Sequence, residues 1–336
     1  MLDRAQFMLH SSTMQTDPLS DVLDLVDARC ILSGILVAGG NWARRFKRSE
    51  AIKFLAVVKG QCWMSCGESP TLAKRFKTGD VIITNSAPGV ILATEPEMLV
   101  SAECTPLDRD GEGQLRAGEG EDFMMIGGLL QVDEQRSGFL RESLPPVVHI
   151  SEQSDEASKL CWLLTELAAE MQRDRAGSAT ASSQLAKLLF IEALRLHIES
   201  TDTERAGWLS ALDDRHITLA LKAIHLEPSH PWTLKELAKL SGMSRTSFAV
   251  RFREVVGIPP LTYVLNWRMR LAEKELSETD RSVAEIADFV GYGSESAFSN
   301  AFRRSTGRSP GIFRKEAIKL YAKRRHKVEH QNIEVD

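Results

Sequence analysis

The stretch Val283–Pro310, VAEIADFVGYGSESAFSNAFRRSTGRSP, decides the fold, because it is a second copy of Leu234–Pro260, LKELAKLSGMSRTSFAVRFREVVGIPP. Glu236 and Glu285, Leu237 and Ile286, Ala238 and Ala287, and Gly242 and Gly291 lie 49 residues apart. Phe248 and Phe298, Phe252 and Phe302, Arg253 and Arg303, Gly257 and Gly307, and Pro260 and Pro310 lie 50 apart. One inserted residue in the turn explains the slip. Similarity at a fixed interval means that the same structural unit is built twice.

Each copy describes a helix-turn-helix, over about 234–255 and about 283–305. The first helix turns Leu237, Ala238 and Leu240, or Ile286, Ala287 and Phe289, toward a core. Gly242 or Gly291 then lets the chain leave the helix through a positive φ. Ser244 or Ser294 caps the second helix by accepting a bond from an otherwise unpaired amide. Within that helix Phe248 and Phe252, or Phe298 and Phe302, are four apart and share the buried face, so the residues around them face out. In the first copy these are Ser244, Arg245, Thr246, Ala249, Arg251 and Arg253. In the second they are Glu295, Ser296, Ser299, Asn300, Arg303 and Arg304. Short polar side chains come early, where a helix entering a major groove by its N-terminal end reaches base edges; the later arginines suit phosphates.

Between the copies, Leu261–Leu276 is a helical run about 25 Å long at ~1.5 Å per residue. It holds the two recognition helices at a separation compatible with successive major-groove segments about 34 Å apart. Charge agrees with this. Residues 230–326 carry 18 Lys+Arg against 10 Asp+Glu, a net of +8, which leaves 24 minus 36, or −12, for the rest of a chain whose total is −4. A helical protein-binding domain with a solvated charged face is the plainer alternative, but the duplication and the basic excess together favour double-stranded DNA as the partner.

Upstream, the pattern is different. Short apolar or alternating runs at 30–38, 52–58, 62–66, 81–84 and 98–104, separated by Gly- and Pro-containing turns, predict an antiparallel sandwich or small barrel. The segment 105–122, rich in glycine and charge, reads as a mobile surface loop, and strands over 123–132 and 140–150 close the unit. From Ser151 the period becomes helical: Leu160, Leu163, Leu164, Leu167 and Met171, then Leu185, Leu188, Leu189, Ala193 and Leu196, mark two amphipathic helices in a hairpin. Such a stripe is more often internal core than an intermolecular face, but a hairpin in this position also suits a homodimer contact.

At the residues of the repeat the chain resembles the AraC/XylS family of bacterial transcription regulators. The likeness rests on the A-x-x-x-G of each first helix, the F-x-x-x-F-R of each recognition helix, the G-x-x-P after each copy, and above all IADFVGYGSESAFSNAFRRSTGRSPGIFRK. The upstream run, from DPLSDVLDLVDARC through FKTGDVIITNSAPGVILAT to LPPVVHI, is similar to the cupin-like sensor half of one branch of that family, although it lacks the His that many relatives carry after the GDV turn and has Val90 nearby. The resemblance implies a multidomain α+β chain: a cupin-like ligand-sensing domain over 17–150, a helical hairpin for coupling or dimerisation over 151–212, an all-α DNA-binding domain with two helix-turn-helix units over 213–316, and a basic tail over 317–336. It implies a cytoplasmic regulator governed by a small-molecule effector, and contact with RNA polymerase if it activates.

Other chemistry is poorly served. An oxygenase of the cupin type needs two or three His with a carboxylate, and the barrel stretch offers only His10 and His149. An enzyme, a metal site and a cofactor are therefore not expected; the rivals are a cupin enzyme with a DNA-binding appendage and a constitutive regulator with a scaffold barrel. Cys62 and Cys66, on one strand, stand about 13 Å apart at ~3.3 Å per residue, beyond disulfide reach. Five cysteines in 336 residues make no disulfide framework, and no apolar run approaches the ~20 residues of a membrane span. Trp42, Phe46, Phe54 and Trp63 are the candidates to line a ligand pocket in the barrel, with core filling the competing role.

Overall fold

The computed structural model describes residues 17–66, 73–85, 89–100, 102, 110, 114–133, 138–151, 158–173, 175–199 and 207–319. The tail beyond 319 and Cys104 lie outside them. The chain forms two compact units: one from Val26 to Glu204, the other from the N-terminal residues through Leu25 together with Arg205 onward.

In the first unit the described residues form ten strands in two sheets. They are β1 (Arg29–Gly39), β2 (Ala43–Phe46), β3 (Ile52–Lys59), β4 (Gln61–Cys66), β5 (Lys74–Lys77), β6 (Val81–Asn85), β7 (Val90–Ala93), β8 (Leu115–Gly118), β9 (Phe123–Gln131) and β10 (Val147–Ile150). One sheet has the order β10-β6-β3-β9-β1-β8, the other β2-β7-β4-β5. Leu36, Trp42, Met64, Phe76, Leu92 and Phe123 belong to one core cluster drawn from both sheets, as alternation along each strand dictates.

Two expectations are corrected here. The sheet is mixed, because β8 runs parallel to β1, pairing Leu36 with Leu115 through Gly39 with Gly118. Residues 115–118 are therefore a strand inside what reads as a loop; four residues flanked by glycines carry no legible alternation.

The hairpin is present as α3 (Ser158–Met171) and α4 (Ser178–Glu199), numbered after the one-and-a-half-turn helix α2 (Gly138–Ser143), with α1 (Pro18–Leu25) at the start of the chain. Its helices pack on each other and on β1, β3 and β10, so Leu160, Leu163, Leu164, Leu167, Leu189, Ala193 and Leu196 of the expected stripe are buried inside the unit, whereas Leu188 is exposed. The Ser183 hydroxyl donates to the Cys30 carbonyl at 2.8 Å, fixing α4 on the sheet.

The second unit is helical: α5 (Arg215–Leu226), α6 (Leu234–Leu240), α7 (Arg245–Val256), α8 (Pro260–Glu278), α9 (Val283–Phe289), α10 (Glu295–Thr306) and a last helix over 310–319. The sequence groups residues 17–150 together, but α1 packs on α5 and α8. Its apolar face, Leu19, Val22, Leu23 and Leu25, is buried there. Asp17 caps it, accepting from the amides of Leu19 and Ser20 at 3.0 and 3.1 Å. Eight residues are too short to hold a helix in water without tertiary packing.

Below α1 lies a buried polar chain. Tyr263 O–H stands 2.7 Å from His225 Nε2, and His225 Nδ1 is 2.9 Å from Asp21 Oδ2. The imidazole stacks on Trp267 with centroids 3.6 Å apart. Burial outweighs the pull of Asp21 and holds the His225 pKa below its ordinary value, so a neutral ring donates from Nδ1 to the carboxylate and accepts the tyrosine proton at Nε2.

Candidate nucleic-acid interface and barrel cavity

Local chemistry sets both helix-turn-helix units in the same way. Thr233 and Ser282 each form a capping box with Glu236 and Glu285 at the start of α6 and α9. The bonds from these hydroxyls and amides hold both carboxyls below the ordinary glutamate range. Gly242 and Gly291 turn out of the helix at φ of 65° and 81°. Ser244 and Ser294 then cap α7 and α10, accepting from Ser247 N–H and Ala297 N–H at 3.2 Å. Phe248 and Phe252 are buried with rings 5.5 Å apart, Phe298 and Phe302 with rings 5.6 Å apart. Gly257 and Gly307 close the recognition helices in left-handed conformation.

The outward faces follow from that anchoring. Ser244, Arg245, Thr246 and Arg253 are exposed on the first copy, and Glu295, Ser296, Asn300, Arg303 and Arg304 on the second; Ala249 and Ser299 are half-buried at matching positions. Arg245, Arg253, Arg303 and Arg304 form no ion pair among the described residues, which leaves four cations for a polyanion.

Arg251 differs. Its Nε donates to Asp214 Oδ2 at 2.8 Å, and the same carboxylate caps α5 by accepting from His216 N–H and Ile217 N–H. These bonds hold Asp214 below the ordinary aspartate range against the opposing effect of burial. In the second copy the equivalent position, 50 residues on, is Ala301, which is buried. This position belongs to the fold of each unit, so the expected phosphate contact of Arg251 is not what its geometry favours. Sequence reasoning also passed over Val250, which is 52% exposed in the middle of α7.

The two units are braced against each other. Arg268 of α8 donates to the carbonyls of Pro228 and His230 at 2.7 and 2.8 Å, fixing the loop before α6. A Cβ on Gly291 would meet backbone of Ser229, in that same loop, at 2.5 Å. The spacer α8, 19 residues long, spans about 28 Å at ~1.5 Å per residue.

Comparison with known proteins bears directly on this arrangement. A Cupin family model matches residues 17–199 and a Helix-turn-helix domain model residues 237–316. An AraC-like transcription regulator of Streptomyces lividans is 37% identical over 302 residues, covering 89% of this chain and 98% of the relative. The chain belongs to the AraC-like family of transcription regulators. A further relative is the transcriptional regulator AlkR of Acinetobacter baylyi, 28% identical over 83% of this chain and 92% of its own length. Among solved structures, the DNA-binding domain of AdpA in complex with a target DNA is 31% identical over 30% of this chain and 90% of its own length, with a TM-score of 0.29. As an AraC-family protein, this chain is a DNA-binding transcription regulator.

The other half of the AraC-family chain contains a cavity between the two sheets, about 750 Å³ including its mouth. Its walls are mostly apolar and include Leu36, Phe46, Leu55, Val90, Leu92 and Met125. Gly34 and Gly127 face each other across β1 and β9, and their missing side chains leave part of the space. Lys53 and Lys47 are its charged residues. Lys53 is half-buried, has no ion pair among the described residues, and has its pKa lowered by burial.

Of the four aromatic residues expected to line this pocket, only Phe46 does. Phe54 alternates to the opposite face of β3 from Lys53 and Leu55, and its ring fills the place of a Cβ on Gly128. Trp42 is buried 5.2 Å from Phe123, and Trp63 packs with Ile91, Ala93 and Leu99. Burial pushes the Cys62 thiol up to about 12, with Asp80 adding to the shift, which leaves it an inert core side chain. Among the described residues no group of three His, Cys, Asp or Glu is placed to hold a metal ion, and no helix is long and apolar enough to cross a membrane.

Proposed function

We propose that this AraC-family regulator reads DNA through the outward residues of α7 and α10 and is governed by a small molecule held in the barrel cavity, acting in the cytoplasm without enzymatic chemistry. Lys53 is the observation that supports the second part. A half-buried cation in an apolar cavity is costly to maintain without a partner, and an effector with an apolar body and an anionic group would supply one. A barrel serving only as scaffold gains nothing from that lysine, nor from the Gly34–Gly127 gap.

Control requires an effector that binds two states of the protein with different affinity, and a coupling of ~1 to 3 kcal/mol changes DNA affinity about 5-fold to 150-fold. The hairpin would pair two copies through its outer side, where Trp162 is 57% exposed, because Leu160, Leu163, Leu164, Leu167 and Leu189 of its stripe are already buried within the unit. RNA polymerase is the further partner if the protein activates.

The test uses aliphatic and aromatic carboxylates alongside their amides. A carboxylate that fits should raise the melting temperature of the full chain by mass action, by about 2.7 kcal/mol of stabilisation at 100 times its Kd. Lys53→Met should cancel the preference for the acid while keeping the fold. Equal responses to acid and amide in both proteins would contradict this role for Lys53.

A further inference from the structure

We infer that Val250 is a specificity-determining residue of the first helix-turn-helix, reading the C5-methyl group of a thymine in the major groove. This rests on the reading of α7 and α10 as groove-entering helices and goes beyond it by assigning one position to one base feature.

Thr246, Ala249, Val250 and Arg253 are spaced i, i+3, i+4, i+7, which makes them one stripe on α7. That stripe lies away from Phe248, Phe252 and Val256, which anchor the helix in its core. Val250 is 52% exposed, and no core cluster among the described residues takes it in. A single exposed apolar residue on a protein surface ordinarily needs no explanation. Its place in the internal repeat is what distinguishes this one.

Shifted by 50 residues, the stripe of the first copy becomes that of the second: Thr246 falls on Ser296, Ala249 on Ser299, Arg253 on Arg303, and Val250 on Asn300. Three pairs keep the same size or charge. The fourth exchanges an amide for a branched hydrocarbon at an exposed position of the helix centre. Asn300 has the donor and acceptor needed for a bidentate contact with adenine. Valine has neither. Among the base edges in the major groove only thymine presents an apolar group, its methyl, so an apolar side chain at a base-reading position has one complementary partner. Ala249 beside it adds no bulk that would hold the helix away. A protein partner is the weaker occupant, because the flanking Arg245 and Arg253 carry unpaired positive charge, which suits phosphates. Beta-branching also gives valine a lower helix propensity than alanine, so intrinsic helix stability does not account for the residue.

The experiment begins with the full chain and duplexes enriched from a randomised library. In an enriched duplex each thymine is replaced singly by deoxyuridine, which removes the C5-methyl and leaves the hydrogen-bonding edge intact. At one thymine in the segment protected by the first helix-turn-helix, the wild-type protein should bind about fourfold more weakly after replacement, the value of one buried carbon group. Val250→Ala should bind the thymine duplex about fourfold more weakly, be indifferent to deoxyuridine at that position, and melt like the wild type. Val250→Thr, which keeps one methyl, should retain part of the thymine preference. Equal sensitivity to deoxyuridine in wild type and Val250→Ala, or no thymine at which the methyl matters, would overturn the assignment while leaving groove reading intact. Failure of the library to enrich any duplex would overturn the groove reading as well.

Discussion

Asn300 and Arg304 stand four residues apart on α10, and their chemistry suits different parts of a duplex. An amide discriminates between base edges; a guanidinium late in the helix meets phosphate. Asn300→Ala, like Arg245→Ala, should weaken binding to an enriched duplex by about 1 to 3 kcal/mol and relax preference at particular base pairs. Arg304→Ala should weaken enriched and scrambled duplexes alike, which competition titrations would show. Arg251→Ala makes a sharper contrast. Removal of its ion pair with Asp214 should lower thermal stability by up to ~1 kcal/mol, as for a half-exposed pair, and leave the salt dependence of DNA binding unchanged. A salt slope reduced by about 0.9 would instead return Arg251 to the phosphate contacts. At this scale the sequence shows which residues flank the buried phenylalanines, but not that Arg251 reaches back to a carboxylate 37 positions earlier. The signal available was Ala301, a small apolar residue at the matching position of the other copy.

Helices and turns carry a second set of consequences. Gly242 and Gly291 occupy the same turn of the repeat, and both have positive φ. Around Gly242 nothing lies within 4 Å of an added Cβ, whereas at Gly291 the backbone of Ser229 stands at 2.5 Å. Gly242→Ala should therefore cost only conformational strain, about 1 kcal/mol, while Gly291→Ala should cost clearly more and loosen the bracing of the second unit. Urea unfolding of the two variants tests this, and equal losses would contradict it. The docking of α1 gives a pH dependence with a definite sign. Because burial lowers the folded-state pKa of His225, the unfolded chain binds the proton more readily, and stability contributed above about pH 6.5 is lost as pH falls through that region. The melting temperature of the wild type should drop more steeply between pH 7 and pH 5 than that of His225→Gln. Repeat, caps and spacer helix were legible because each has a local signal in residue spacing. The docking of α1 was not, since an eight-residue amphipathic segment has no mark of which partner it will cover, and β8 was not, since Leu115–Gly118 is too short for its alternation to stand out.

Across the whole chain an acidic strand-rich half is followed by a basic helical half, and the hairpin, which the sequence suggests as a coupling element, packs within the strand-rich unit. With its leucine stripe buried against the sheet, charging Leu164 or Leu189 would unfold it; Trp162→Glu is the variant that changes the outer side alone. It should lower the sedimentation coefficient of a dimer without lowering the melting temperature, and an unchanged assembly would remove the hairpin from that role. The cavity was foreseeable as a barrel property but its lining was not, because choosing between Phe54 and Lys53 requires knowing which face of β3 looks inward. The central claim is that two helix-turn-helix units, held by α8 and the Arg268-braced loop, read one face of one duplex. Hydroxyl-radical and methylation protection of an enriched duplex by the full chain measures this most directly. Two protected major-groove segments, centred about 34 Å apart on the same face, are the predicted result. A single protected segment, or uniform protection without a preferred face, would contradict the account.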